Sequence, residues 1–212
     1  MIERPGSPRG RVAAWALALL LVASCGQFDT RDPEPPSDEP IIPFDPPTTE
    51  EKVLGNVERA IEGRGPSNYN RSLSSEFSYE PPITDAELLA QFPASWRQND
   101  ETGLWSQILK DTRDRNITVV WTWGAQREIQ LVEGSDDRRY YDDLEYTCAF
   151  GLNGQTKIYA GQVDLYLVET TGGFQIYKWV DIEGDGNNQS LGWLRLERAI
   201  TFPAGGGGLT RP

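Results

Sequence analysis

The 212-residue chain carries 32 acidic against 20 basic side chains, a formal charge of −12, and no histidine. A surface this acidic argues against nucleic acid or an anionic lipid headgroup as partner. The absence of histidine excludes His-dependent catalytic triads and His-ligated zinc, and removes the commonest general base.

The first segment has a signal-like pattern. Arg4, Arg9 and Arg11 precede Val12 to Ala23, a run with neither charge nor proline. About 12 apolar residues suit a signal-peptide core and are too few to span roughly 30 Å of hydrocarbon. The run ends in Val22-Ala23-Ser24-Cys25, which resembles the lipobox of bacterial lipoproteins, an aliphatic and two small residues before a cysteine. That resemblance implies cleavage of residues 1–24, a diacylglycerol on the Cys25 sulfur and an acylated α-amine. Two or three acyl chains at about 0.8 kcal/mol per buried CH₂ make a stable anchor. The expected partner is therefore the bilayer, and the expected location the bacterial cell envelope, with the domain outside the cytoplasm. Gly26 in place of Asp favours the outer membrane in a Gram-negative cell. The alternative reading is an ordinary signal peptide followed by a buried or disulfide-bonded Cys25. Cys148 is the only other cysteine, and it sits in an apolar pattern as an inert thiol.

Residues 25–49 read as the lipidated cysteine and an acidic, proline-rich tether without apolar periodicity. A helix is expected from Glu50, because Val53, Leu54, Val57, Ala60 and Ile61 recur at helical spacing before Gly63 and Gly65. Tyr69 to Leu73 predicts a short helix or turn, and Glu76 to Tyr79 a short extended piece. Asp85 is placed to cap a helix to about Gln91, and a longer helix is expected over Trp96 to Leu109.

From Asn116 the period becomes two. One long strand is expected to carry Ile117, Val119, Trp121, Trp123, Ala125, Ile129 and Leu131 on a single face. A second carries Tyr140, Leu144, Tyr146, Cys148 and Phe150, and Asn153-Gly154 turns the chain into a third, Lys157 to Glu169. That strand is apolar on both faces, so helices are expected to cover it. A hairpin at Thr171-Gly172-Gly173 leads to Phe174 to Asp181, with Tyr177, Trp179 and Asp181 on one face. Leu194 to Ile200 is read as a last short strand, and 203–212 as a glycine-rich tail. The fold expected for residues 50–202 is α+β, N-terminal helices packed on a curved antiparallel sheet.

Asn68-Tyr69-Asn70-Arg71-Ser72-Leu73-Ser74-Ser75-Glu76-Phe77 and Phe174-Gln175-Ile176-Tyr177-Lys178-Trp179-Val180-Asp181 are similar to two recurrent passages of the nuclear-transport-factor-2-like and SnoaL-like superfamily. The resemblance implies a cone-shaped fold over about residues 50–200. The structural alternative is a lipocalin-like β-barrel. Catalytic members of the superfamily use an Asp with a Tyr, or a His-Asp pair, and the second is impossible here.

The candidate pocket consists of Tyr146, Asp164, Tyr166, Trp179 and Asp181. Asp164 and Tyr166 share a strand face, and desolvation in a cavity would suit Asp164 as a base. The alternative is an Asp164 that faces solvent or pairs with Arg127, with the aromatics as plain core. Asp181 to Asn188 matches the first half of a calcium loop, but Gly192 stands where a bidentate Glu belongs, so it reads as a polar connection. No catalytic set, metal or cofactor is assigned. The leading expectation is a lipid-anchored, non-catalytic domain that binds a small apolar ligand or docks an envelope protein, with a second copy of itself as a further candidate partner. The alternative is an isomerase, dehydratase or cyclase using a pocket Asp and Tyr.

Overall fold

The computed structural model describes residues 41–125, 127–184 and 188–202, all within the compact unit Glu39–Pro212. The expected signal peptide, Cys25, tether residues 26–40, residues 185–187 of the calcium-like loop and the 203–212 tail lie outside the described residues.

Helices α1 (Glu50–Glu62) and α2 (Pro66–Arg71) open the domain and lead into strand β1 (Leu73–Glu80). α1 buries the stripe its spacing predicts, Val53, Leu54, Val57, Ala60 and Ile61, together with the polar Asn56. Helix α3 (Ala86–Gln91) is capped by Asp85, whose carboxylate accepts the Leu88 N–H at 2.9 Å. Helix α4 runs Gln98–Asp114, so Trp96 stands just outside it, and Asp100 accepts the Arg97 N–H at 3.0 Å across its first turn.

Six strands form one curved sheet: β1, β2 (Thr118–Trp123), β3 (Glu128–Leu131), β4 (Arg138–Leu152), β5 (Gln155–Thr170) and β6 (Gly173–Gly184). Their order is β1-β6-β5-β4-β2, with β3 also on β4, and every pair is antiparallel except β1 with β6. The sheet is not a closed barrel. The first predicted strand is in fact two. Its period holds from Ile117 through Trp123, then breaks over 124–127, and Ile129 and Leu131 stand exposed on β3.

Two irregularities change which residues face inward. In β4 one extra residue lies between Tyr141 and Leu144, with Asp143 at φ 47°, so Tyr141 enters the core and Tyr140 points outward. In β6 an extra residue between Ile176 and Lys178 turns Tyr177 outward, while Ile176, Trp179 and Asp181 stay buried. The expected grouping of Tyr177 with Trp179 and Asp181 is therefore incorrect. A bulge adds one residue and reverses the parity beyond it, which simple alternation cannot anticipate. The expected covering of both faces of β5 is also corrected. Helices cover the face with Tyr159, Val163, Leu165 and Leu167; of the other face, Ala160 is buried while Ile158, Tyr166 and Val168 are half-buried.

The region read as a last strand is a helix, α5 (Leu191–Glu197), which buries Leu191, Leu194 and Arg195 and ends at Arg198 with φ 56°. Residues 41–49, read as tether, lie against the domain as a strap. Asn56 bonds both the N–H and C=O of Asp45 at 3.0 and 2.7 Å, Asn68 donates to the Ile42 carbonyl at 2.7 Å, and Phe174 N–H donates to Pro47 O at 2.8 Å. Arg71 lies over the Phe44 ring at 3.9 Å. At the sheet's far edge, the Glu62 carboxylate of α1 accepts the outward Trp121 N–H at 2.9 Å, and the Trp123 indole donates to Leu54 O at 3.1 Å.

Candidate functional site

The concave face of the sheet and the helices over it enclose a polar network inside an aromatic core. Its centre is Glu101, in the first turn of α4, where the helix dipole favours a carboxylate. Oε1 accepts from the Tyr69 hydroxyl at 2.7 Å, the Trp105 indole at 3.0 Å and Arg195 Nη2 at 2.8 Å. Oε2 accepts from the Trp96 indole at 2.7 Å and Arg195 Nε at 2.9 Å. Both members of this ion pair are fully buried. Burial pushes the Glu101 carboxyl up, but the Arg195 guanidinium and the other donors outweigh it and hold the group below its ordinary value. Burial acts on Arg195 in the opposite direction, yet Glu101, Tyr79 and Asp181 raise it, so it stays charged.

Arg195 is sandwiched as well as paired. Its guanidinium carbon lies 3.9 Å from the centre of the Tyr79 ring and 5.0 Å from that of Trp179. Beyond those rings sits Asp181, accepting from the Tyr79 hydroxyl and the Trp179 indole, each at 2.7 Å. Desolvation raises the Asp181 carboxyl above its ordinary value, against the opposing pull of Arg195, Tyr79 and Trp179. The Tyr146 hydroxyl accepts the Leu191 N–H at 3.0 Å and so fixes the start of α5. Around this centre Trp121 stacks on Tyr146 at 6.1 Å and meets Trp105, Trp123 and Trp179 edge-on at 5.0 to 6.2 Å. Two buried donors in the same region, Arg195 Nη1 and Trp121 Nε1, have no hydrogen-bond partner among the described residues.

Three residues of the expected pocket, Tyr146, Trp179 and Asp181, thus meet inside the cone, and two do not. Asp164 pairs in register with Val180 and Tyr166 with Lys178, so both point away from the cone while their neighbours Leu165 and Trp179 point in. Asp164 is half-exposed beside Asp142 and Asp143, and accepts the Asp143 N–H at 3.2 Å. Desolvation and the two neighbouring carboxylates raise it. An Asp164 base inside the cone is therefore excluded by the strand's parity. Cys148 is buried with its thiol raised by desolvation, as an inert core thiol would be.

Sequence reasoning missed Glu101, Arg195, Tyr69, Tyr79 and Trp96. Glu101 precedes Leu104 and Trp105 by three and four residues, so it lies on the same helix face, and a carboxylate on an apolar stripe is a readable signal. Arg195 gave no signal, because its segment was read as a strand.

The outer face of the sheet is aromatic and charged. Tyr140 stacks on Tyr166 with centroids 5.0 Å apart, and Tyr166 meets Tyr177 edge-on at 6.0 Å. Arg138 lies over Tyr177 at 4.8 Å and Lys178 over Tyr166 at 5.5 Å. The carboxylates Asp142, Asp143 and Asp164 lie on the β4–β5 side of this row.

No family model and no curated protein sequence matches the chain. Among solved structures it is similar to naphthalene 1,2-dioxygenase with indole bound in the active site, at 7% identity and TM-score 0.50, over 62% of this chain and 75% of that one. It is also similar to ActVI-ORFA from Streptomyces coelicolor, at 13% identity and TM-score 0.46, over 64% of this chain and 94% of that one. At these identities the likeness concerns fold alone. The domain has the nuclear-transport-factor-2-like cone: mixed α+β, with an open, curved sheet wrapped over helices.

Proposed function

We propose that this chain is a lipid-anchored protein of the bacterial envelope whose domain is a non-catalytic docking module, presenting the outer face of its sheet to another envelope protein. The observation that carries the non-catalytic reading is the occupancy of the cone. Glu101 accepts five hydrogen bonds and is neutralised by Arg195, and Asp181 is 1% exposed with both oxygens engaged. A general base needs a lone pair within reach of a substrate proton; those of Glu101 are taken, and Asp181 is buried away from any substrate. The outer face, by contrast, presents tyrosine rings with Arg138 over one of them, and tyrosine and arginine are enriched where proteins meet. Anchoring rests on the basic start, the apolar run and Val22 to Cys25.

Two measurements test this reading. Replacing Cys25 with Ala should move the protein from the membrane to the soluble fraction and abolish acyl labelling; retention in the membrane would reject the anchor. A photo-cross-linking amino acid at position 166 should trap a defined neighbour in intact envelopes, whereas one at the solvent-facing position 110 should not. Equal yields from both positions would reject the docking face.

The enzyme reading keeps one specific observation, the raised Asp181 carboxyl with Tyr79 at 2.7 Å. It requires α5 to leave the cone before a substrate could reach Asp181.

A further inference from the structure

We propose that the cone is a guanidinium-binding site and that Arg195 is its tethered occupant. Each wall of the site supplies one element of guanidinium recognition. Glu101 takes Nε and Nη2 side-on, at 2.9 and 2.8 Å, the two-pronged geometry that a planar guanidinium fits and a lysine ammonium does not. Tyr79 lies against the flat face at 3.9 Å and Trp179 closes a second side at 5.0 Å, and aromatic faces attract a desolvated cation. Asp181 adds a second negative group behind both rings, contributing to the cation's stabilisation without bonding it. Tyr69, Trp96 and Trp105 hold the Glu101 oxygens in place, so the carboxylate is preorganised independently of the arginine.

The occupant arrives on a short element. α5 has seven residues, is held at its start by the Tyr146 hydroxyl and is stopped at Arg198 in the left-handed region. Arg195 Nη1 is buried with no partner, so the guanidinium enters edge-first and leaves one donor without an acceptor inside the site. Burying that donor is a cost, which the two-pronged bond to Glu101 and the ring contacts offset. The site therefore recognises the cation by its edge and its face, and the same features would admit an alkylguanidinium that is not attached to the chain. In the intact protein Arg195 competes at the effective concentration of a linked group, which excludes a free ligand at low millimolar levels. The inference concerns the folded domain and holds whether or not the chain is lipid-anchored.

The test is chemical rescue of Arg195→Ala in the full chain. Ethylguanidinium at concentrations up to about 20 mM should raise the variant's Tm saturably, by roughly 5 °C. The same concentrations of urea, which matches the shape without the charge, and of tetramethylammonium, which has charge without the two-pronged edge, should not. Wild type should not respond to any of the three. If Arg195→Ala does not fold alone, ethylguanidinium should restore its refolding yield where urea fails. Adding Glu101→Gln should abolish the rescue. A variant unmoved in both Tm and refolding yield, or one moved equally by tetramethylammonium, would overturn the proposal.

Discussion

Glu101 and Arg195 show how little freedom one buried charge leaves its neighbours. Removing a single partner strands the other in the core, so Arg195→Met or Glu101→Gln should each lower stability by about 3–5 kcal/mol in urea unfolding. The double variant Glu101→Leu/Arg195→Met leaves no stranded charge and should cost less than the sum of the two; a strictly additive result would mean that the pair does not act as a unit. The pH dependence has two opposed parts. Glu101 is held below its ordinary value, so its contribution is complete above about pH 4.3 and is lost as pH falls through the lower, folded value. Asp181 is raised, so the folded state holds its proton more tightly than the unfolded state does. Stability associated with Asp181 is therefore lost as pH rises from about 3.9 through its raised value. Unfolding curves between pH 2.5 and 7 should show a flatter acid limb in Glu101→Gln, and in Asp181→Asn the loss on the rising side should vanish. At this scale the sequence was half legible. Trp179 and Asp181 belong to one passage, and their pairing could be read locally. The Glu101–Arg195 bond spans 94 residues, and nothing near either residue announces the other.

Among elements, those whose signals are local were read and those set by packing were not. α1 and the Asp85-capped α3 formed where their apolar spacing and cap placed them. The Asn153-Gly154 turn formed because both residues adopt positive φ, 51° and 79°. The bulges in β4 and β6 depend on partner strands, and each moved a tyrosine to the face opposite the one expected. α5 looked like a strand because Leu194, Leu196 and Ile200 alternate with polar residues, while its burial against the cone selects a helix. The strap shows the same dependence, since Pro43, Pro46 and Pro47 suggest a free linker until Asn56 and Asn68 supply partners. Asn56→Ala should speed hydrogen exchange at the Asp45 amide and cost about 1–3 kcal/mol. Gly173→Ala should act at the same junction, because φ there is 104° and a Cβ would stand 2.5 Å from Pro47 O. Unchanged exchange at Asp45 in both variants would mean that the strap is held by other contacts.

For the whole molecule, the cone architecture was readable from element order, while its contents were not. The compact unit begins at Glu39. A chain starting at Glu39 should therefore melt within a degree or two of the full-length protein, whereas one starting at Glu50, without the strap, should melt several degrees lower; equal melting would make the strap dispensable. Glu62 also matters at this scale. By accepting the Trp121 N–H it fills a hydrogen-bonding position that would otherwise be open on the β2 edge. Proteins fixed to a surface meet one another at concentrations far above those of the same number of molecules free in solution, and always in similar orientations. An uncapped strand edge would then become a template for fibre-like growth from neighbour to neighbour. On the anchor proposed above, the Glu62 carboxylate in the last turn of α1 would close one such position to a neighbouring copy.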